Sequence, residues 1–205
     1  MGCELNVHRL LPLTEAEGPG KRCCVWLQGC SHHCKGCFAE DTWDTAPRLL
    51  FSPSHIVEMA VKSGVEGITV LGGEPFDQPE GLAEMTKLAW AAGLSTLVFT
   101  GYTHEQLIAS DHPHIQEALA HTDVLIDGPY IAEQRSFSRP LVGSNNQRIL
   151  FLTNRYSMAD FKPNRIELRI SKEGSIAANG MGNMETVKRL MTALQDFHQQ
   201  TKNKN

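Results

Sequence analysis

The sequence predicts an α/β fold in which short apolar strands alternate with helices, followed by a small αβ extension. Three observations lead there. Apolar runs such as Ile68-Thr-Val-Leu71 and Thr96-Leu-Val-Phe99 are bounded by glycines or polar turns and are too short to be helices. The segments between them carry apolar residues three and four positions apart, the spacing of one helical face. Beyond residue 152 the pattern changes to strand, tight turn and returning strand. Alternation of this kind implies a parallel sheet or barrel with right-handed crossovers. Ligands then gather where strands end and loops begin.

Taken in order, Val25-Trp-Leu-Gln28 is the first predicted strand and runs directly into a cysteine-rich loop. Residues 54–62 place Ile56, Val57, Ala60 and Val61 at helical spacing, with Gly64 as the stop. The strand 68–71 ends at Gly72-Gly73. Residues 79–92 form a helix with Pro79 in its first turn, Leu82, Met85, Leu88 and Ala89 inward, and Gly93 after it. The strand 96–99, helices near 105–109 and 115–120, and strands 124–126 and 148–152 complete the set. In the extension, 166–170 alternates as a strand, 172–174 is a turn and 175–178 returns. A last helix is predicted from Met184 to about His198, with Val187, Leu190, Met191 and Leu194 on one face, before a polar tail. The expected division is a core domain over 1–152 and a C-terminal αβ extension of unknown role over 153–205.

Composition is that of an ordinary globular chain, 41% hydrophobic and 20% charged, with a net charge of −4 that gives no sign of nucleic-acid binding. The distribution is uneven: residues 1–133 carry 7 basic against 18 acidic residues, and 134–205 carry 12 against 5. Either two oppositely charged surfaces meet within the fold, or a basic face awaits an acidic partner such as a flavodoxin, or an anionic substrate. No run of ~18 apolar residues is present, so no membrane span is expected. The N-terminus lacks the basic and apolar regions of a signal peptide, and Asn6 breaks a myristoylation motif. Clustered cysteines in such a chain point to metal binding rather than disulfides, and to a reduced, cytoplasmic setting.

The chemistry concentrates in Cys30-Ser-His-His-Cys34-Lys-Gly-Cys37, a C-x₃-C-x₂-C spacing with no fourth ligand nearby. Three thiolates suit a cubane iron–sulfur cluster with one iron left open, whereas structural zinc normally takes four closed ligands. His32 and His33, lying between two of the cysteines, read as loop filler. Cys3, Cys23 and Cys24 are too few and wrongly spaced for a second cluster; Cys23 and Cys24 read as buried, inert thiols. Gly72-Gly73-Glu74-Pro75 stands at a strand end, where paired glycines admit close backbone approach and a carboxylate can hold an ammonium group. Phe99-Thr-Gly101-Tyr102 occupies the next strand end. Asp123-Val-Leu-Ile-Asp127-Gly-Pro-Tyr130 and Gly143-Ser-Asn-Asn146-Gln147-Arg148 follow.

Together with Glu17-Gly-Pro-Gly-Lys-Arg22 and Phe38-Ala-Glu-Asp-Thr-Trp43, these segments resemble the radical S-adenosylmethionine superfamily. More narrowly, they resemble the glycyl-radical-enzyme activases that serve anaerobic ribonucleotide reductase. The resemblance covers about residues 5–152. It implies an incomplete (βα) barrel and a [4Fe–4S] cluster on Cys30, Cys34 and Cys37, the residues carrying catalysis. It further implies S-adenosylmethionine (SAM) as cofactor, cleaved to methionine and a 5′-deoxyadenosyl radical that abstracts hydrogen from a glycine of a partner glycyl radical enzyme. Gly36 and Phe38 would read the adenine, Gly72, Gly73, Glu74 and Pro75 the SAM amino group, and Gly101 and Tyr102 the adenosine. Asp127, Asn146 and Gln147 would order the pocket, in roles the resemblance does not assign. The family more often has Asp where Glu74 stands. Two other readings stay open: a radical SAM enzyme acting on a peptide or small metabolite, and a non-catalytic iron–sulfur or zinc-binding module.

Overall fold

The computed structural model describes residues 3–182, 185, 188–190 and 192–194. Its centre is a mixed sheet in the order β3-β1-β2-β4-β5-β6-β7. The strands are β1 (Leu5–Thr14), β2 (Arg22–Leu27), β3 (Leu49–Phe51), β4 (Gly67–Gly72), β5 (Ser95–Phe99), β6 (Val124–Asp127) and β7 (Arg148–Phe151). The expected parallel register holds for β2–β4, β4–β5 and β5–β6. The two flanks run the other way: β1 is antiparallel to β2 and β3, and β7 is antiparallel to β6. A purely parallel set, as the alternation suggested, is therefore corrected to a parallel core with antiparallel borders. β1 and β3 have no counterpart among the predicted strands.

Helices α1 (Pro53–Lys62), α2 (Pro79–Ala91), α3 (His104–Ile108) and α4 (Pro113–Ala120) fall where their periodicity puts them. Ser52 caps α1 by accepting the His55 N–H, with Pro53 at the first position. Thr103 and Gln106 form a capping box on α3. α2 packs between α1 and α4. Gly81 is required there, because a Cβ would lie 2.6 Å from the Leu5 Cδ2 atom and push α2 off β1.

Period-two alternation gives each strand two faces. Cys23, Val25, Leu27, Ile68, Val70, Val98 and Leu125 join the helix residues Ile56, Leu82, Met85 and Ala89 in the larger core. On the opposite face Leu97, Val124 and Ile126 pack with Leu141, Val142 and Phe161. Arg22 is fully buried beneath this second face and clamps three strands, donating to Thr69 Oγ1, Ser95 Oγ and the Ile68 carbonyl. Burial lowers its pKa.

The C-terminal strands β8 (Ile166–Ile170) and β9 (Ile176–Gly180) form the predicted hairpin. The predicted helix from Met184 to about His198 and the tail lie largely outside the described residues. Part of the charge asymmetry is met within the fold: Arg148 pairs with Asp127 and Glu105, Arg155 with Asp123 and Arg165 with Glu15. Among the described residues, no helix is long and apolar enough to cross a membrane.

Candidate iron–sulfur centre

A cavity of about 320 Å³ opens on the face of the sheet opposite the main helical core. Trp26, Leu71 and Phe99 project into it from the ends of β2, β4 and β5. Cys30, Cys34 and Cys37 all line it, together with Phe38, and so do Gly72, Gly73, Glu74 and Gly101. Parallel strands that end side by side thus bring motifs some seventy residues apart onto one wall. Gly36, Pro75, Tyr102 and Asp127 are not among the residues that line the cavity.

The loop from β2 is held from both sides. The Gly73 N–H donates to the Leu27 carbonyl at 2.8 Å and the Glu74 N–H to the Gly29 carbonyl at 2.8 Å. Gly73 has no room for a side chain, since a Cβ would stand 1.9 Å from the Gly29 carbonyl oxygen. The Ser31 N–H and hydroxyl donate to Asp77. Backbone N–H groups of His33 and His32 are directed at the Cys30 sulfur, and the Ala39 N–H at the Cys37 sulfur. Donors aimed at sulfur are the environment of a cluster thiolate. Partial burial raises the Cys30 and Cys37 thiols above their ordinary range, so taking up metal here releases protons. Among the described residues no three His, Cys, Asp or Glu side chains converge on a single metal ion. A cubane does not ask for that, because its thiolates bind separate irons.

Glu74 is 1% exposed and turned into the protein. It accepts from the Phe76 N–H at 3.0 Å, the Thr100 hydroxyl at 2.9 Å and the Gly101 N–H at 2.7 Å. His32 Nε2 stands 3.4 Å from the same carboxylate, at ion-pair distance without hydrogen-bond alignment. That carboxylate raises the His32 pKa. His32 also lies edge-on to Tyr102 at 4.5 Å, and His33 stacks on Trp43 at 4.9 Å. Both histidines therefore pack the loop in place, a function that sequence reading missed; no signal in the sequence pairs His32 with Glu74.

Asp127 is fully buried and accepts from the His104 N–H at 2.7 Å and from Arg148. Asn146 donates to the Pro129 carbonyl, and Gln147 bonds Gly128, Gly143 and Ser144. These three order the turn after β6 that carries Tyr130. Phe38 packs edge-on to Tyr130 at 5.4 Å and lies under the Arg135 guanidinium at 5.0 Å, an aromatic wall for the cavity.

The remaining wall was not foreseen. Glu17 and residues 178–182, at the end of the C-terminal hairpin, line the same cavity as the cysteines. Cys23 and Cys24, by contrast, are fully buried, and burial pushes Cys23 up to about 12 and Cys24 well above its ordinary value.

Residues 16–150 match the family described as a 4Fe-4S single cluster domain. The chain is 32% identical over 154 residues to the anaerobic ribonucleoside-triphosphate reductase-activating protein of Enterobacteria phage T4, covering 71% of this chain and 93% of that one. The proteins of the same name from Vibrio cholerae and Escherichia coli K12 are 29% and 28% identical, over 97% and 96% of their lengths and 71% and 70% of this chain. Among solved structures, QueE from Escherichia coli aligns with a TM-score of 0.42 at 20% identity, over 49% of this chain and 54% of that one. By its single-cluster segment and its relatives, this chain belongs to the family of anaerobic ribonucleoside-triphosphate reductase-activating proteins.

Proposed function

We propose that the chain is a radical SAM activase in which Cys30, Cys34 and Cys37 hold a [4Fe–4S] cluster beside a SAM site formed by Gly72, Gly73, Glu74 and Gly101. The observation that carries this reading is the convergence of all three cysteines and both glycine-containing strand ends on one cavity. Such a cluster, when bound and reduced, supplies the electron that splits a carbon–sulfur bond of SAM and so starts hydrogen abstraction from a glycine α-carbon. The chain's own residues bind, orient and shield. Gly72 and Gly73 keep the wall bare of side chains so that a ligand can approach backbone groups. Glu74 braces that wall from behind through Gly101, so the SAM amino group meets the backbone Glu74 positions as much as its carboxylate. Phe38 and Tyr130 offer apolar surface for the adenine and exclude water.

The partner we propose is an anaerobic ribonucleotide reductase carrying the target glycine, with a flavodoxin-like protein as electron donor and a cytoplasmic setting. We read the sheet as the incomplete barrel of the superfamily, with 1–152 as its core and 153–205 as an extension. A second reading, hydrogen abstraction from another peptide, draws on residues 178–182, which line the cavity from outside the segment matched by the family.

The test is electron paramagnetic resonance on an anaerobic mixture of this protein, SAM, a strong reductant and the reductase, with 5′-deoxyadenosine assayed alongside. A glycyl doublet on the reductase is expected. Cys34→Ala should abolish iron retention, deoxyadenosine and doublet together, and deoxyadenosine formed by that variant refutes the ligand assignment. Deoxyadenosine without the doublet favours the second reading.

A further inference from the structure

We infer that the C-terminal hairpin is a working wall of the binding site, and that Asn179, with Arg9 and Glu17, forms a subsite for a polypeptide backbone. The inference rests on the activase reading for its ligand, since a glycine-bearing partner must present peptide groups to this cavity. The hairpin is fixed in place rather than resting there. Glu167 accepts from the Thr14 hydroxyl and the Glu15 N–H, both at 2.7 Å. Arg169 donates to the Leu13 carbonyl and Arg9 to the Ala178 carbonyl. The Gly180 N–H donates to Glu17 Oε1 at 2.6 Å.

Within this wall Asn179 is 7% exposed and lines the cavity, yet its Oδ1 has no hydrogen-bond partner among the described residues. Its orientation is set by its neighbours. The Thr14 hydroxyl donates its proton to Glu167 and so presents only lone pairs to Asn179, whose Nδ2 donates to it at 2.9 Å. Turning the amide over would face two acceptors, Thr14 Oγ1 and Glu17 Oε1, with a third. The unused group is therefore the acceptor, and a buried acceptor without a donor costs stability unless a ligand supplies one. Arg9 lies over Trp26 on the cavity wall with one N–H committed to Ala178 and others left to give. An acceptor beside a donor matches the N–H and C=O of a peptide group. Adenine also carries an N–H donor beside a ring-nitrogen acceptor, so SAM is the competing occupant against which the peptide is measured.

The experiment measures binding of a synthetic peptide spanning the radical-bearing glycine of the reductase, and of SAM, to the full chain with its cluster assembled. Asn179→Ala is expected to weaken the peptide about five- to tenfold, as one lost hydrogen bond implies, with a much smaller change for SAM. Equal weakening of both ligands makes the hairpin a structural brace and overturns the inference. Undiminished peptide binding overturns it, and so does a wild-type chain that binds SAM but no peptide; both spare the activase reading, which the glycyl doublet alone decides. Should Asn179→Ala fail to fold, hydrogen exchange on the wild-type chain decides: peptide, and not SAM, should slow exchange across 176–182, and unchanged exchange refutes the subsite.

Discussion

The Glu74 carboxylate accepts the Gly101 N–H at 2.7 Å and so ties the end of β4 to the turn that follows β5. With the Phe76 N–H and the Thr100 hydroxyl on its other oxygen, it serves three buried donors at once. Glu74→Ala strands all three, and we expect a loss of about 3 kcal/mol in anaerobic urea unfolding. Glu74→Gln must turn an NH₂ group toward at least one donor and should lose about 2 kcal/mol. A carboxylate that served only an ammonium ligand would leave unfolding unchanged in both variants while SAM binding fell. That pattern would refute the bracing role.

Gly73 controls the same junction from the backbone. A Cβ there would meet the Gly29 carbonyl carbon at 2.8 Å and its oxygen closer still. Backbone cannot swing aside as a side chain can, so Gly73→Ala should displace Gly29 and with it Cys30. Iron retained per chain after reconstitution should fall by more than about half, with a stability loss of about 3 kcal/mol. Gly64 is the control: its φ is +63° and a Cβ there meets nothing within 4 Å. Gly64→Ala should cost only about 1 kcal/mol of backbone strain and keep its iron. Equal iron in both variants would show that the β2–β4 contact does not position the cluster loop.

The core strands and helices were legible because each is a local pattern. Apolar runs between glycines mark β4 and β5, and Pro79 with Leu82, Met85 and Ala89 marks α2. β1 was not legible: Arg9 and Pro12 interrupt its apolar character. A proline is tolerated there because β3 pairs only with residues 5–7, so among the described residues no strand ladder on that side needs an N–H from position 12. The cysteine triad and the Gly-Gly-Glu-Pro turn announced the site because spacing alone carries that chemistry. The inward turn of Glu74 did not show, since its donors come from strand ends far apart in sequence. The hairpin could be read as a hairpin, but its docking depends on Glu167 meeting Thr14 and Glu15 some 150 residues away. No local pattern reports such a contact.

Asp127 anchors the turn after β6 from a fully buried position. It accepts from the His104 N–H and from Arg148, whose guanidinium reaches out to Glu105 on the surface. Removing the buried member leaves a half-buried cation and an unmet N–H, so Asp127→Ala should cost about 3 kcal/mol. Arg148 draws the exposed Glu105 carboxyl down to about 2, yet water screens that pair. Glu105→Gln should therefore leave the unfolding midpoint where it is. A loss at Glu105 matching that at Asp127 would mean that the surface arm carries the anchor.

Glu17 gives the fold a pH dependence of definite sign. Burial raises its carboxyl to about 7, with the Gly180 N–H and the Asn179 amide only partly opposing the shift. In the unfolded chain the same group titrates near the ordinary glutamate value, about 4.3. Below that value both states hold the proton and the contribution to stability is complete. Between there and about pH 7 the unfolded chain has released its proton and the folded chain keeps it, so stability falls with rising pH at up to ~1.4 kcal/mol per unit. Above pH 7 both states are ionised and the curve levels, after a total loss on the order of 3 kcal/mol. Glu17→Gln retains an acceptor for the Gly180 N–H and removes the titration. The gap in unfolding free energy between wild type and this variant should therefore widen in the variant's favour from pH 5 to pH 7 and stay constant from pH 7.5 to 8.5. Curves that run parallel across the whole range would show that Glu17 is already ionised in the folded protein, and that the hairpin is held by a carboxylate rather than by a carboxylic acid.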